Sequence, residues 1–230
     1  MEETTKPVIP LCVVIDASAS MLTCVGGTPT GRILERDGQR FQEMEGEVTT
    51  VLDRANQALM EALEEIKRSV LPTMEVEICV ALAKQSPSLH QRFVPLSELD
   101  SLPLPDNAIG DEGNLIGGIS VAADAWRIRK GTYCDQGIPH GDPCFLLVTD
   151  GILRNDETPS DALLTLKEER KRDLLVLDIG FDERSLHILQ GRLGQTPVQP
   201  HDLASILLQT PVSRAPEVPG DLGSAEWGEW

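Results

Sequence analysis

Aromatic residues make up only 3% of the 230 residues, and 20 Lys+Arg are set against 37 Asp+Glu, a formal charge of −17. With hydrophobic residues at 40%, any core must be aliphatic, built from Val, Ile, Leu and Ala. The shortage of basic residues argues against nucleic acid, whose phosphates are neutralised by Lys and Arg. It argues equally against docking on anionic lipid. No apolar run approaches the roughly 18 residues of a membrane span, and the charged start, Met1 to Lys6, does not read as a signal peptide. The four histidines show no metal-binding spacing with one another or with cysteine, which excludes a zinc site of the familiar kinds. No C-x-x-C pair and no G-x-S-x-G elbow occurs. The five cysteines are an odd number, and Cys12, Cys79 and Cys144 lie inside apolar runs. They read as reduced, structural residues of a cytoplasmic protein, with Cys24 and Cys134 on loops.

A chain of this length supports one large domain with a real core. Residues 8–15 form a near-continuous apolar run that ends at Asp16. Such a run suits a strand buried on both faces of a parallel sheet. Residues 74–83, 144–148 and 174–180 read as further strands, and His90–Leu96 as a weaker edge strand. Between them, Val48, Val51, Leu52, Ala55, Leu59, Leu63 and Ile66 recur at helical spacing. Leu115–Ile128, Thr158–Arg172, Glu183–Leu193 and Asp202–Gln209 give further helices. Strands alternating with helices predict a three-layer, doubly wound α/β domain, a mostly parallel sheet with helices on both faces. Its expected bounds are 7–212, after an N-terminal extension at 1–6. Residues 21–45, rich in Gly, Pro and charge, read as a loop insertion. Residues 130–143 read as a surface connection, and 213–230 as an acidic, flexible tail.

Residues 26–31, with glycines at 26, 27 and 31, hint at a phosphate-binding loop, but Arg32 and Ile33 stand where that loop needs Lys and Ser or Thr. The nucleotide reading is set aside. A different constellation carries chemistry. Asp16, Ser18 and Ser20 follow the first strand, and alternate residues of extended backbone point the same way. All three offer hard oxygens, which suit Mg²⁺ or Mn²⁺. Asp150, in Thr149-Asp150-Gly151, also ends an apolar strand. Ligands of open α/β sheets gather outside the carboxyl ends of strands. If the two strands are neighbours, both carboxylates face one crevice.

D-x-S-x-S-M at 16–21 together with T-D-G at 149–151 resembles the von Willebrand factor A (vWA) domain and its metal-ion-dependent adhesion site. Gly113-Asn114-Leu115-Ile116-Gly117 fits the start of that family's metal-flanking helix. Residues 201–215 resemble the last helix of small bacterial members similar to TerY-type tellurium-resistance proteins. The resemblance covers about residues 7–214 and implies a vWA/Rossmann-like fold. It implies Asp16, Ser18, Ser20 and Asp150 as metal ligands, with Asn114 standing where the family has Thr. Asn114 either ligates through its amide oxygen or a water, or caps the helix that follows; Asp111 and Glu112 lie close enough in sequence to substitute. The metal would not hydrolyse anything. It would accept a carboxylate from a partner protein, so the chain reads as a non-enzyme. The family context implies a bacterial stress or defence system, and partners such as a kinase/phosphatase pair or a MoxR-type AAA+ ATPase. A metal-free scaffold stays open, as does a metal-dependent phosphatase, although Ser18 stands where the latter wants a second acid. Trp227 and Trp230, two of the three tryptophans, mark the tail as a second candidate docking element.

Overall fold

The computed structural model describes residues 6–36, 39–99, 102, 112–151, 174–181, 186–187, 190 and 196–213. The expected helices at 158–172 and 183–193 lie wholly or largely outside these residues. So do Asp111, Trp227 and Trp230, and nearly all of the N-terminal extension and the tail.

Strand β1 (Val8–Asp16) is buried along its whole length, as its unbroken apolar run requires. It pairs in parallel with β4 (Glu75–Ala83) on one side, from Val8 opposite Glu75 to Asp16 opposite Ala83. On the other side it pairs in parallel with β7 (Cys144–Val148), whose outer neighbour is β8 (Leu174–Val176). Beyond β4 lies β5 (Ser88–Pro95), antiparallel, as the edge-strand expectation at His90–Leu96 anticipated. The short β6 (His140–Gly141) and β9 (Val212–Ser213) extend the sheet beside the start of β1.

Alternation along β1 sends its side chains into two separate cores. Ile9, Leu11, Val13 and Ile15 pack with α1 (Val51–Ser69) and α3 (Leu203–Leu208) on one face. Val8, Cys12 and Val14 pack with α2 (Leu115–Gln136) on the other. The chain passes from β1 through α1 to β4, and from β5 through α2 back to β7 across β1. Helices therefore cover both faces of a mostly parallel sheet, the α/β vWA/Rossmann-like architecture expected.

Helix α1 opens on a capping box in which Thr50 and Asp53 satisfy each other's backbone N–H groups. Its buried stripe is Leu52, Ala55, Leu59, Leu63 and Ile66. Val48, expected on that stripe, precedes the cap and is exposed. Gly118 lets α2 lie close on the sheet, since a Cβ there would sit 2.8 Å from the Ala83 Cβ and 3.0 Å from Val14 Cγ1.

Two expectations need correction. Residues 21–45 are not a loop: after a 3₁₀ turn at Ala19–Leu22 they form a β-hairpin, β2 (Thr28–Arg36) antiparallel to β3 (Gln39–Glu45). The register shifts between Pro29 and Ile33, at Gly31 with φ +81, so the bulge interrupts the alternation that would have marked a strand. Residues 130–136 are not part of a surface connection either, because α2 runs on to Gln136 and ends on left-handed Gly137. Its last turns are held from below. Arg129 makes a two-pronged ion pair with buried Glu77 of β4 at 2.6 and 2.5 Å, and the Tyr133 hydroxyl donates to the same carboxylate at 2.6 Å. Cys134 thus sits on a helix, exposed, while Cys12, Cys79 and Cys144 are buried as expected.

Candidate metal centre

Parallel pairing brings Ile15 opposite Val148, so Asp16 and Thr149-Asp150 leave the sheet side by side. The condition set by the sequence, that the two strands be neighbours, is met. Asp16, Ser18, Thr149 and Asp150 are all buried, and Ser20 is half-buried.

Asp16 is the centre of the cluster. Its Oδ1 accepts the backbone N–H of Ser18 at 3.0 Å, and its Oδ2 accepts the Thr149 hydroxyl at 2.7 Å. The Thr149 oxygen in turn accepts the Gly151 N–H at 3.1 Å. The Ser18 and Ser20 hydroxyls lie 2.9 Å apart. Strand alternation orients Asp16 and Ser18, but Ser20 reaches the cluster differently. It lies in the 3₁₀ turn, where Met21 N donates to Ser18 O at 3.1 Å and folds the chain back.

Burial, against the lowering effect of the bonds from Thr149 and Ser18, pushes the Asp16 carboxyl up to about 6 from 3.8; the neighbouring charge of Asp150 adds to the rise. Two carboxylates and two hydroxyls in a buried pocket form an all-oxygen donor set. That set matches Mg²⁺, which typically takes one or two carboxylates and keeps some of its own waters. Among the described residues no three His, Cys, Asp or Glu gather as a metal cluster. The donors gathered around Asp16 are carboxylate and hydroxyl oxygens, a hard set rather than a soft one.

Asn114 stands beside this centre with its amide oxygen engaged. Oδ1 accepts the Gly117 N–H at 2.8 Å and caps α2, while its own N–H donates to Ala83 O at 3.3 Å. Ala17 N donates to the same Ala83 oxygen, which ties the loop after β1, the end of β4 and the start of α2 together. Glu112 is exposed.

Sequence reasoning overlooked two residues in the cluster. Thr149 stands in the sequence only as a member of the T-D-G motif, yet its hydroxyl holds Asp16 in place. Gly113 approaches so closely that a Cβ there would stand 3.1 Å from Asp16 Oδ1 and 3.2 Å from the Ser18 Cβ. Residue type was the available signal: a hydroxyl next to a strand-ending Asp, and a glycine just before a helix cap.

No family model and no curated protein matches the sequence. Among solved structures, BatB from Bacteroides thetaiotaomicron, a conserved hypothetical protein, is similar over 87% of this chain and 96% of its own, with 12% identity and a TM-score of 0.51. An aerotolerance-related membrane protein from Bacteroides fragilis, carrying multiple mutations to serine, aligns over 87% of this chain and 97% of its own at 11% identity and a TM-score of 0.49. Among the described residues of the present chain, no helix is long and apolar enough to cross a membrane. At such identity the likeness to BatB speaks to the fold alone, and the fold is α/β of the vWA/Rossmann-like kind.

Proposed function

We propose that this protein is a non-catalytic interaction module whose grip on a partner protein depends on a divalent cation. Asp16, Ser18, Ser20 and Asp150 hold Mg²⁺ or Mn²⁺, and Asn114 shapes the rim by capping α2. The observation that carries the reading is the burial of two carboxylates side by side with two hydroxyls at the carboxyl ends of adjacent parallel strands. A cation there relieves both the desolvation and the repulsion of the acids. Once bound, it offers a Lewis-acidic position to a carboxylate of the partner. The resemblance to small bacterial vWA proteins extends the proposal to a cytoplasmic stress or defence assembly, with a kinase/phosphatase pair or a MoxR-type ATPase as the partners to try first.

The test is a melting experiment with metal. A cation that binds only the folded state stabilises it by about 3 kcal/mol at a hundredfold excess over its Kd. Added Mg²⁺ or Mn²⁺ should raise Tm, and Asp150→Ala should abolish the rise. A melting curve unmoved by excess of either ion would overturn the assignment.

A further inference from the structure

Helix α2 carries more apolar surface than the sheet covers. Leu115, Ile119, Ala122, Ala123, Trp126 and Tyr133 are buried. Ala125 and Ile128 fall outside that stripe, and Ile128 is 76% exposed, more than any other large hydrophobic side chain among the described residues. Ala125, Ile128 and Thr132 follow one another at helical spacing, so they share a face. With Arg129 they line a groove of about 340 Å³ whose other wall is Leu89, Arg92 and Phe93 of β5. An apolar cavity of about 150 Å³ admits a benzene ring, so this groove has room for an indole.

Charge and reach single out an occupant within the chain itself. Arg92 and Arg129 line the groove, and no acid does. Glu77 already neutralises Arg129, whereas the Arg92 guanidinium makes no ion pair or hydrogen bond among the described residues. Residues 214–230 lie outside the described residues; they hold Trp227 and Trp230, and set Glu217, Asp221, Glu226 and Glu229 against Arg214. A larger cavity on the α1 face suits such a segment poorly, because Glu61, Glu65 and Asp178 line it against Arg54 and His201. Ser213, the last described residue, pairs with His140. The His140 ring packs on Trp126 at 5.9 Å between centroids, and Trp126 on Phe93 of the groove at 6.4 Å. Opposed strand residues stand about 5 Å apart, so these contacts put Ser213 within roughly 25 Å of the groove. The 14 residues from Arg214 to Trp227 span about 45 Å when extended, which is ample.

We propose that the groove between α2 and β5 is the docking site of this chain's own tail, which places its tryptophan-bearing end, Glu226–Trp230, against Ile128 and Phe93. Leu89, Phe93 and Ile128 give an indole the apolar seat that such a large ring needs. Arg92 meets a tail carboxylate or lies on the indole face, where a guanidinium is attracted by the ring. The contact needs no cation at Asp16 and Asp150.

Two measurements on the full chain test this. Trp126 is 1% exposed and serves as a protected reference. Quenching of tryptophan emission by acrylamide should rise severalfold in Ile128→Asp, with a red shift, as the tail tryptophans leave the groove. A labelled peptide of residues 214–230 should bind saturably to the Trp227→Ser/Trp230→Ser chain. It should bind the parent at least about tenfold more weakly, because a tethered tail competes at millimolar effective concentration. On the Trp227→Ser/Trp230→Ser background, Ile128→Asp should weaken the peptide at least about tenfold, the scale of a lost interface anchor. Arg92→Ser, on the facing wall, should weaken it too. Both side chains are exposed, so neither change should unfold the protein. Equal quenching in the parent and Ile128→Asp overturns the inference. So does a peptide that fails to bind the Trp227→Ser/Trp230→Ser chain, binds the parent equally well, or ignores both groove variants. Self-association of the parent by sedimentation, removed by Trp227→Ser/Trp230→Ser, overturns it as well, by making a second copy the occupant.

Discussion

Replacing Asp16 with Asn removes a charge that the fold holds at a cost, and the size of that cost can be read from its pH dependence. The carboxyl rises to about 6 when folded, against 3.8 ordinarily, mainly through burial. A carboxyl with a raised folded value favours the native state at low pH, where both states are protonated. That advantage is lost as pH climbs from the unfolded value through the folded one. Two pKa units correspond to about 3 kcal/mol, of which about 2 kcal/mol develops between about pH 4 and pH 7. The substitution also disturbs the bonds from Ser18 and Thr149, a penalty of about 1–3 kcal/mol that does not titrate. The informative quantity is therefore the stability of Asp16→Asn minus that of the parent, from urea denaturation in metal-free buffer. It should rise by about 2 kcal/mol from about pH 4 to pH 7 and level off above. Without the charge, Mg²⁺ should add nothing. A difference that is flat with pH would refute the claim that Asp16 is a poorly solvated, buried carboxylate in the metal-free protein.

Thr149→Val keeps the shape but removes the hydroxyl that donates to Asp16, and metal affinity measured by calorimetry should fall about 10- to 100-fold, as for other groups that orient a ligand; an unchanged affinity would show that Asp16 needs no such support. Glu77→Gln should cost about 2 kcal/mol or more by leaving the Arg129 guanidinium without its counter-charge, while Glu77→Met/Arg129→Met should cost less than the single change; equal or greater loss in the double variant would show that the pair itself stabilises α2. In native protein, Cys24 and Cys134 should react with Ellman's reagent at once, while Cys12, Cys79 and Cys144 wait for unfolding, the Cys144 thiol being pushed up to about 12 by burial; rapid modification of Cys12 would contradict the central place of β1.

The alternating order of strands and helices was legible because strands buried on both faces are apolar at every position, as in β1, and a buried helix face recurs at fixed spacing, as in α1. The metal-centre candidates were legible for a related reason. Hard oxygen donors directly after a buried strand are conspicuous, and Asp16, Ser18, Ser20 and Asp150 all fall there. The hairpin was missed although residues 37 and 38 are Asp-Gly, a strong two-residue turn signal, because the bulge at Gly31 breaks the alternation ahead of it.

Other features had no local signal at all. Helix α2 runs past Ile128 because Glu77, far away in sequence, offers its carboxylate to Arg129 and Tyr133. Thr149 becomes the support of Asp16 only when β7 lies against β1. The amide of Asn114 turns to Gly117 because a helix begins there. Charge, polarity and periodicity are properties of residues and their near neighbours, and a sequence displays them directly. The partner of each buried polar group, and the rise of a carboxyl's pKa through burial, come from chain segments that meet only when the sheet closes, so tertiary structure alone decides them.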